Sequence, residues 1–437
     1  MSTLAEVRLW GSTIGAVSLE DGRDDAAFQY EPAFARSGVE VAPLRMPLGP
    51  RIYAFPELAR ATFHGLPGLL ADSLPDRFGN ALIDAWLALQ GRTPASFNAI
   101  ERLCYVGTRG MGALEFQPAT GPSPQRTKLL EIDALVALAS EVLSNREHLT
   151  VSFAGDPERL EGLGDILRVG TSAGGARAKA VIAWNEATQQ VRSGQVESGD
   201  GFEHWLLKFD GVSGNRDREL DDPQGYGAIE YAYSLMARAA GLRMTECRLL
   251  EESGRRHFMT KRFDRLESGE KLHMQSLGAL AHYDYNEPGA YGYEQALAVL
   301  RELGLGMDAL EELFRRMLFN LVARNQDDHV KNIAFLMDRR GQWSLAPAFD
   351  VTYSYNPSGA WTSRHQMSVN GKRDGFTRED VRACARSASL KRGRADAMLD
   401  EVSAAVRRWS EFADAAKLPR DSQEQIRRAH RLELPDR

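Results

Sequence analysis

Asn320–Asp350 reads NLVARNQDDHVKNIAFLMDRRGQWSLAPAFD, and within it Arg324–Asn332 holds two carboxylates, a histidine, a lysine and three amides. Ahead of this cluster, Leu310–Val322 puts Leu310, Leu313, Phe314, Met317 and Leu321 on one helical face. Behind it, Ile333–Met337 is an apolar run of strand length. Asp338–Gln342 is a turn carrying Gly341, and Trp343–Phe349 is a returning strand. A turn centred near Arg340 pairs residue i with residue 680 − i, which brings Asp350 back beside Val330. Antiparallel partners lie roughly 5 Å apart and diagonal neighbours roughly 7–8 Å. Asp350 therefore emerges beside Asp327, His329 and Asn332, at the open end of the hairpin.

An aspartate and an asparagine placed there can share a hard cation, since Mg2+ takes few protein oxygens and completes its shell with water and phosphate. A further aspartate on the preceding loop can orient a hydroxyl nucleophile and accept its proton. These are the parts of a phosphoryl-transfer site. A solvated loop accounts for any one of these residues taken singly, but less well for the whole set. A hydrolytic metal centre on Asp327, Asp328 and His329 would need more imidazole. The other eight histidines are scattered, with no HxxxH or HxH pairing.

The chain has 437 residues, enough for two or three domains with cores of their own. Its 43% hydrophobic and 26% charged content are ordinary for a soluble globular protein. A net charge of −6 argues against the whole molecule being an electrostatic nucleic-acid binder, although local basic patches are compatible with it. Cys104, Cys247 and Cys384 are odd in number and far apart, so neither a disulfide framework nor a zinc knuckle is indicated. No apolar run approaches membrane-spanning length and MSTLAEVRLWGSTIG has no signal pattern, so the expectation is a cytoplasmic protein.

The chain begins β-rich. Val7–Trp10 and Thr13–Leu19 alternate around Gly11 as a hairpin, and Phe28–Phe34 and Val39–Met46 continue in short strands. Pro56–Phe63 and Asp76–Gln90 follow as helices. No titratable cluster appears before Gly121, which suits a docking or structural domain over 1–121. Gln117–Thr127, with three prolines and a glycine, reads as a linker. Leu129–Ser144 and Pro157–Ile166 have helical patterns.

VGTSAGGARAKAVIAW (Val169–Trp184) follows, a glycine-rich stretch running into the strand Ala180–Trp184. Its backbone N–H groups can approach phosphate closely, but an ordinary tight turn has the same composition, and no Walker pattern is present. The next strand, Trp205–Asp210, carries Lys208, which is costly to bury unless it meets an anion. A glycine loop followed by a strand lysine is the layout by which kinase-type folds hold ATP. Glu230, near the start of the helix Tyr226–Ala240, either pairs with Lys208 or faces solvent. Arg248–Glu251 and His257–Phe263 form a hairpin around Gly254. A kinase lobe resembling an N-lobe then spans 122–268 and a mostly helical lobe spans 269–437, with helical Val381–Cys384 and Ala395–Phe412 and a charged tail, Arg420–Arg437, expected to fray.

TSAGGARAKA, WLLKFD, KRFDR, NQDDHVKN and APAFDVTYS resemble, in order and spacing, the HipA family of bacterial serine/threonine kinase toxins from toxin–antitoxin modules. LLADSLPDRFGN (Leu69–Asn80) and GMGALEF (Gly110–Phe116) resemble its N-terminal subdomain, so the likeness spans nearly the whole chain. The NQDDHVKN run also resembles the catalytic loop of phosphatidylinositol kinases. The resemblance implies an α+β, two-lobed protein-kinase-like fold with a β-rich N-terminal subdomain and a mostly helical C-terminal lobe. It implies Asp327 as the catalytic aspartate, supported by His329 and Lys331, with Asn332 and Asp350 binding Mg2+. ATP contacts would come from Gly174, Gly175, Ala176, Lys179 and Lys208, with Phe263 and Asp264 near the adenine and ribose. Ser172 would be the autophosphorylated residue, although Thr171 precedes it.

The implied biology is a type II toxin. It would phosphorylate an aminoacyl-tRNA synthetase and be held by a HipB-like helix-turn-helix antitoxin, through which it meets operator DNA. A small-molecule or lipid kinase, or a catalytically silent partner in a repressor complex, is the alternative.

Overall fold

The computed structural model describes residues 2–121, 129–144, 157–171, 177–195, 199, 201–212 and 225–436. Among these, three sheets carry the β-structure. In the first, β1 (Thr3–Leu9) and β2 (Ser12–Leu19) form the hairpin expected around Gly11. The strands β3 (Ala27–Tyr30), β4 (Ile52–Tyr53) and β5 (Leu114–Gln117) complete the order β4-β3-β2-β1-β5. Alternation sets the buried face, with Ala5, Val7 and Leu9 turned inward and Leu4, Glu6 and Arg8 turned away. The strand expected to run to Phe34 stops at Tyr30, and Val39–Met46 forms turns instead of a strand. Pro32 in the first case and Pro43 in the second remove the N–H that a ladder needs.

The second sheet contains β6 (Lys179–Asn185), β7 (Gln190–Ser193), β8 (Glu203–Lys208), β9 (Cys247–Glu252) and β10 (Arg255–Lys261), in the order β7-β6-β8-β10-β9. The third joins β11 (His273–Ser276), β12 (Ala334–Met337) and β13 (Trp343–Leu345). Its hairpin pairs Phe335 with Leu345, Leu336 with Ser344 and Met337 with Trp343, the register expected from a turn near Arg340.

The helical lobe is built around Met307–Ala323, whose inward face includes Leu310, Leu313, Phe314, Met317 and Leu321. Arg394–Arg407 and Trp409–Ala415 form two helices where one was expected, broken at Arg408. The charged tail does not fray. Arg420–Ala429 is a helix that buries Ile426, and beyond it Arg431 N–H donates to Val322 O (2.9 Å), Pro435 O accepts from Arg378 N–H (2.8 Å) and Leu434 is buried.

Among the described residues lie three large hydrophobic cores, two of which take in side chains from both sides of residue 121. One lies under the first sheet and takes in Met337 and Trp343 of the third. The second joins the 179–261 sheet to Phe78, Leu82, Ile83 and Leu87 of the helix Arg77–Leu89. The third fills the helical lobe. The early helix thus forms one wall of the lobe carrying β6 and β8.

Candidate active site

Lys208 closes β8, where it pairs across the sheet with Lys179 of β6 and Phe258 of β10. Its ammonium donates to Glu230 Oε1 at 2.6 Å and also contacts Asp350 Oδ1. Glu230 is 1% exposed on the helix Tyr226–Ala239. That helix lies close to the sheet because a Cβ on Gly227 would stand 2.4 Å from Arg256 O. The structure therefore resolves the open choice for Glu230 in favour of the lysine. Burial acts to lower the Lys208 pKa, but Asp350 and Glu230 outweigh it and hold the ammonium protonated. Burial likewise pushes Asp350 up, and Lys208 and then Lys179 more than reverse this, pulling it down to about 2.

Asp350 follows the third-sheet hairpin in a left-handed conformation (φ 52°). It lines one cavity with His329 and Asn332, two of the three residues the hairpin register sets beside it, and with Asn320, Asn325 and Asp328; Asp327, the third, is not in that lining. The loop that supplies Asn325, His329 and Asn332 begins where Arg324 (φ 60°) ends the helix Met307–Ala323. Asn332 Nδ2 donates to Asp327 O at 2.8 Å, which leaves its Oδ1 as the atom for a cation. No group of three or more His, Cys, Asp or Glu side chains suited to a metal occurs among the described residues. One carboxylate and one amide oxygen are too few for zinc, but they fit Mg2+, which keeps several ligands for water and phosphate.

The adjacent carboxylates Asp327 and Asp328 have different surroundings. Asp328 is 3% exposed and accepts from Tyr293 OH (2.8 Å) and Gln366 N–H (2.8 Å), with His365 Nδ1 at 2.9 Å. It braces the loop. The Asp327 side chain is 42% exposed, with His329 Nε2 3.9 Å from its Oδ1, so it is the carboxylate open to an incoming hydroxyl. His329 and Lys331 both flank Tyr285, the histidine ring at 5.6 Å and the lysine Nζ at 5.2 Å from its centroid.

Two residues expected at the nucleotide are otherwise engaged. Asp264 is fully buried, clasped by Arg262 (2.6 Å), Arg265 (2.8 Å) and Gly112 N–H (2.6 Å), so no carboxylate oxygen is free for a ribose. Burial opposes its ionisation, yet the two guanidiniums hold its pKa far below the ordinary range. It joins the turn before β5 to the segment linking the lobes. Its neighbour Phe263 does stay in the seam, packed on Phe349 at 5.7 Å over Ala334, Leu336 and Ala346.

Lys179 is 2% exposed, with Asp76 Oδ2 3.1 Å away, so a phosphate would reach it only by competing with that carboxylate. Burial raises the Asp76 pKa and lowers that of Lys179, each against the other's attraction. Asp76 was missed by the sequence reading, which saw no titratable cluster in the first 121 residues. The available signal was its position as N-cap of Arg77–Leu89, where it accepts from Gly79 N–H (2.6 Å). Ser172, Gly174, Gly175 and Ala176 lie outside the described residues, as do residues 122–128 of the expected linker.

A sheet bearing a lysine, a helix glutamate paired with it and a helical lobe offering a loop aspartate define a two-lobed, kinase-like protein. The family model described as HipA-like C-terminal domain matches residues 171–409, and HipA N-terminal domain matches residues 5–117. The chain belongs to the HipA family. No curated protein matches it. Among solved structures, a chain from the Shewanella oneidensis MR-1 toxin–antitoxin complex of HipA, HipB and operator DNA is 16% identical. The match covers 98% of this chain and 96% of that one, with a TM-score of 0.68. The Helicobacter pylori proinflammatory kinase CtkA is 13% identical over 58% of this chain and 89% of that one, with a TM-score of 0.36. No helix among the described residues is long and apolar enough to cross a membrane.

Proposed function

We propose that the chain is the kinase toxin of a toxin–antitoxin module and transfers the γ-phosphoryl group of ATP to a serine or threonine hydroxyl of a protein. The observation carrying this reading is the convergence of Lys208, Glu230 and Asp350 within one ion-paired cluster. In that reading Lys208 exchanges Asp350 for phosphate oxygens while Glu230 keeps it in place. Mg2+, held by Asp350 and Asn332, would neutralise charge on the phosphates. Asp327 orients the acceptor hydroxyl and takes its proton as the new oxygen–phosphorus bond forms and the bond to the β,γ-bridging oxygen breaks, releasing ADP.

Family membership supports a HipB-like antitoxin as partner, with operator DNA met through it and an aminoacyl-tRNA synthetase as the class of target. It also supports self-inactivation at Ser172. Thr171 is 1% exposed, and its hydroxyl donates to Leu167 O (2.8 Å) and accepts from Arg109 (3.2 Å), which favours Ser172 as the acceptor. A phosphate there adds roughly −1.5 to −2 charges beside the triphosphate site and repels ATP.

The test is mass spectrometry of phosphate-free protein incubated with Mg·ATP, beside Asp327→Asn. One added phosphate on the peptide holding Thr171 and Ser172, with transfer lowered about 10²–10⁴-fold in the variant, is the expected result. Equal incorporation in both proteins would remove Asp327 from the mechanism.

A further inference from the structure

Beyond Asp350 the chain folds back over the loop bearing Asp327 and is latched to it by buried polar contacts. Gln326 Nε2 donates to Thr362 O (3.0 Å), and Gln366 Nε2 donates to Gln326 O (3.2 Å) and Trp361 O (2.6 Å). His365 and the Gln366 N–H meet Asp328 as described. Gln326, Asp328, His365 and Gln366 are each at most 3% exposed. Carried by this latch, the half-buried Trp361 donates its indole Nε1–H to Asp327 Oδ1 at 2.7 Å. Asp327 Oδ2 takes no hydrogen bond from the described residues.

An exposed carboxylate on a loop samples several side-chain rotamers, and each misdirected one is useless for taking a proton. One fixed N–H on one oxygen sets the plane of the group and the direction of the other oxygen's lone pairs. Indole suits this task because it only donates; it neither accepts the hydroxyl's proton nor gives one up. We propose that Trp361 is the positioning residue for Asp327, holding Oδ1 so that Oδ2 faces the acceptor hydroxyl. The inference rests on the phosphoryl-transfer reading above. The opposite role, an indole that plugs the site until substrate displaces it, places Trp361 on the same oxygen and predicts the opposite kinetics.

Trp361→Phe keeps an aromatic ring and removes the N–H. Phosphate incorporation from labelled Mg·ATP into the chain itself and into myelin basic protein is measured for wild type, Asp327→Asn and Trp361→Phe. The positioning role predicts a maximal rate roughly tenfold lower in Trp361→Phe, the loss of one hydrogen bond to a charged group. The ATP concentration at half-saturation and the melting temperature stay at wild-type values. An unchanged or higher maximal rate overturns the role, and a higher rate identifies the plug. A loss explained by weaker ATP saturation or by lower melting temperature reduces Trp361 to a structural residue and equally overturns it. Absence of transfer by wild type overturns the phosphoryl-transfer reading and this inference with it. Transfer by wild type that Asp327→Asn abolishes leaves that reading standing, whatever Trp361→Phe does.

Discussion

Neighbouring side chains of one chemical type divide the work here according to what surrounds them. Asp327 is open and Asp328 buried; Lys208 contacts the cavity-lining Asp350 and Lys179 is closed off by Asp76. For Lys208 the sequence suggests ATP handling and offers a pairing with Glu230 as one option; its two ion pairs give it a structural role as well. Lys208→Met would leave Glu230 and Asp350 close together without the ammonium they share, Arg177 standing 3.8 Å from Glu230 Oε2. Breaking a buried pair in this way costs about 3–5 kcal/mol. The expected outcome is loss of ATP binding in calorimetry together with a clearly lower urea midpoint. An unchanged midpoint would mean that the two carboxylates find another partner. Asp264 shows how neighbours can engage a carboxylate that the sequence offers to a ligand. KRFDR places it beside the seam, but Arg262 and Arg265, two and one positions from it on either side, close around its carboxylate.

At the scale of elements, the hairpin was the most legible part of the chain. A two-residue side-chain period and one turn fix the register, so the placement of Asp350 could be worked out by counting. Lys208 beside Glu230 was legible only as an option, because the approach of helix Tyr226–Ala239 to β10 depends on packing across the lobe. Gly227 controls that approach. A methyl group at this position meets the backbone at Arg256 O and Phe258 N, which cannot swing aside as a side chain can. Gly227→Ala should therefore destabilise the protein by about 1–3 kcal/mol despite alanine's better helix propensity. By moving Glu230 away from Lys208 it should also raise the ATP concentration at half-saturation. Full stability with normal ATP saturation would show that the helix can shift without consequence. Trp361 and Asp76 escaped the sequence reading for a common reason. Each acts on a residue far away in the chain, and no local period or spacing encodes such a contact.

Across the whole molecule, two histidines mark the seam between the N-terminal region and the helical lobe. His282 Nε2 accepts from Gly68 N–H at 3.1 Å, and His273 lies fully buried on β11, its Nε2 3.0 Å from Gln275 Nε2. Burial lowers both pKa values to about 4. Since the folded-state values lie below the unfolded value of about 6.5, the unfolded chain binds more protons between these limits. The stability associated with the neutral rings is complete above about pH 6.5 and is lost as pH falls towards 4. The melting temperature should fall between pH 7 and pH 5, and His282→Gln, which still offers an acceptor to Gly68, should flatten that slope. An equal slope in the variant would place the acid sensitivity elsewhere.

The tail helix gives the loop bearing Asp327 a schedule as well as a shape. Arg324 Nε donates to Ala429 O (2.7 Å), Arg431 NH1 reaches His365 Nε2 (3.1 Å), and His430 Nε2 lies 3.1 Å from Tyr233 OH. A ribosome makes Asp327 and Asp350 well before it makes these braces. During synthesis the loop therefore exists before its far-side braces do, and those contacts can form only once residues 429–431 have left the exit tunnel.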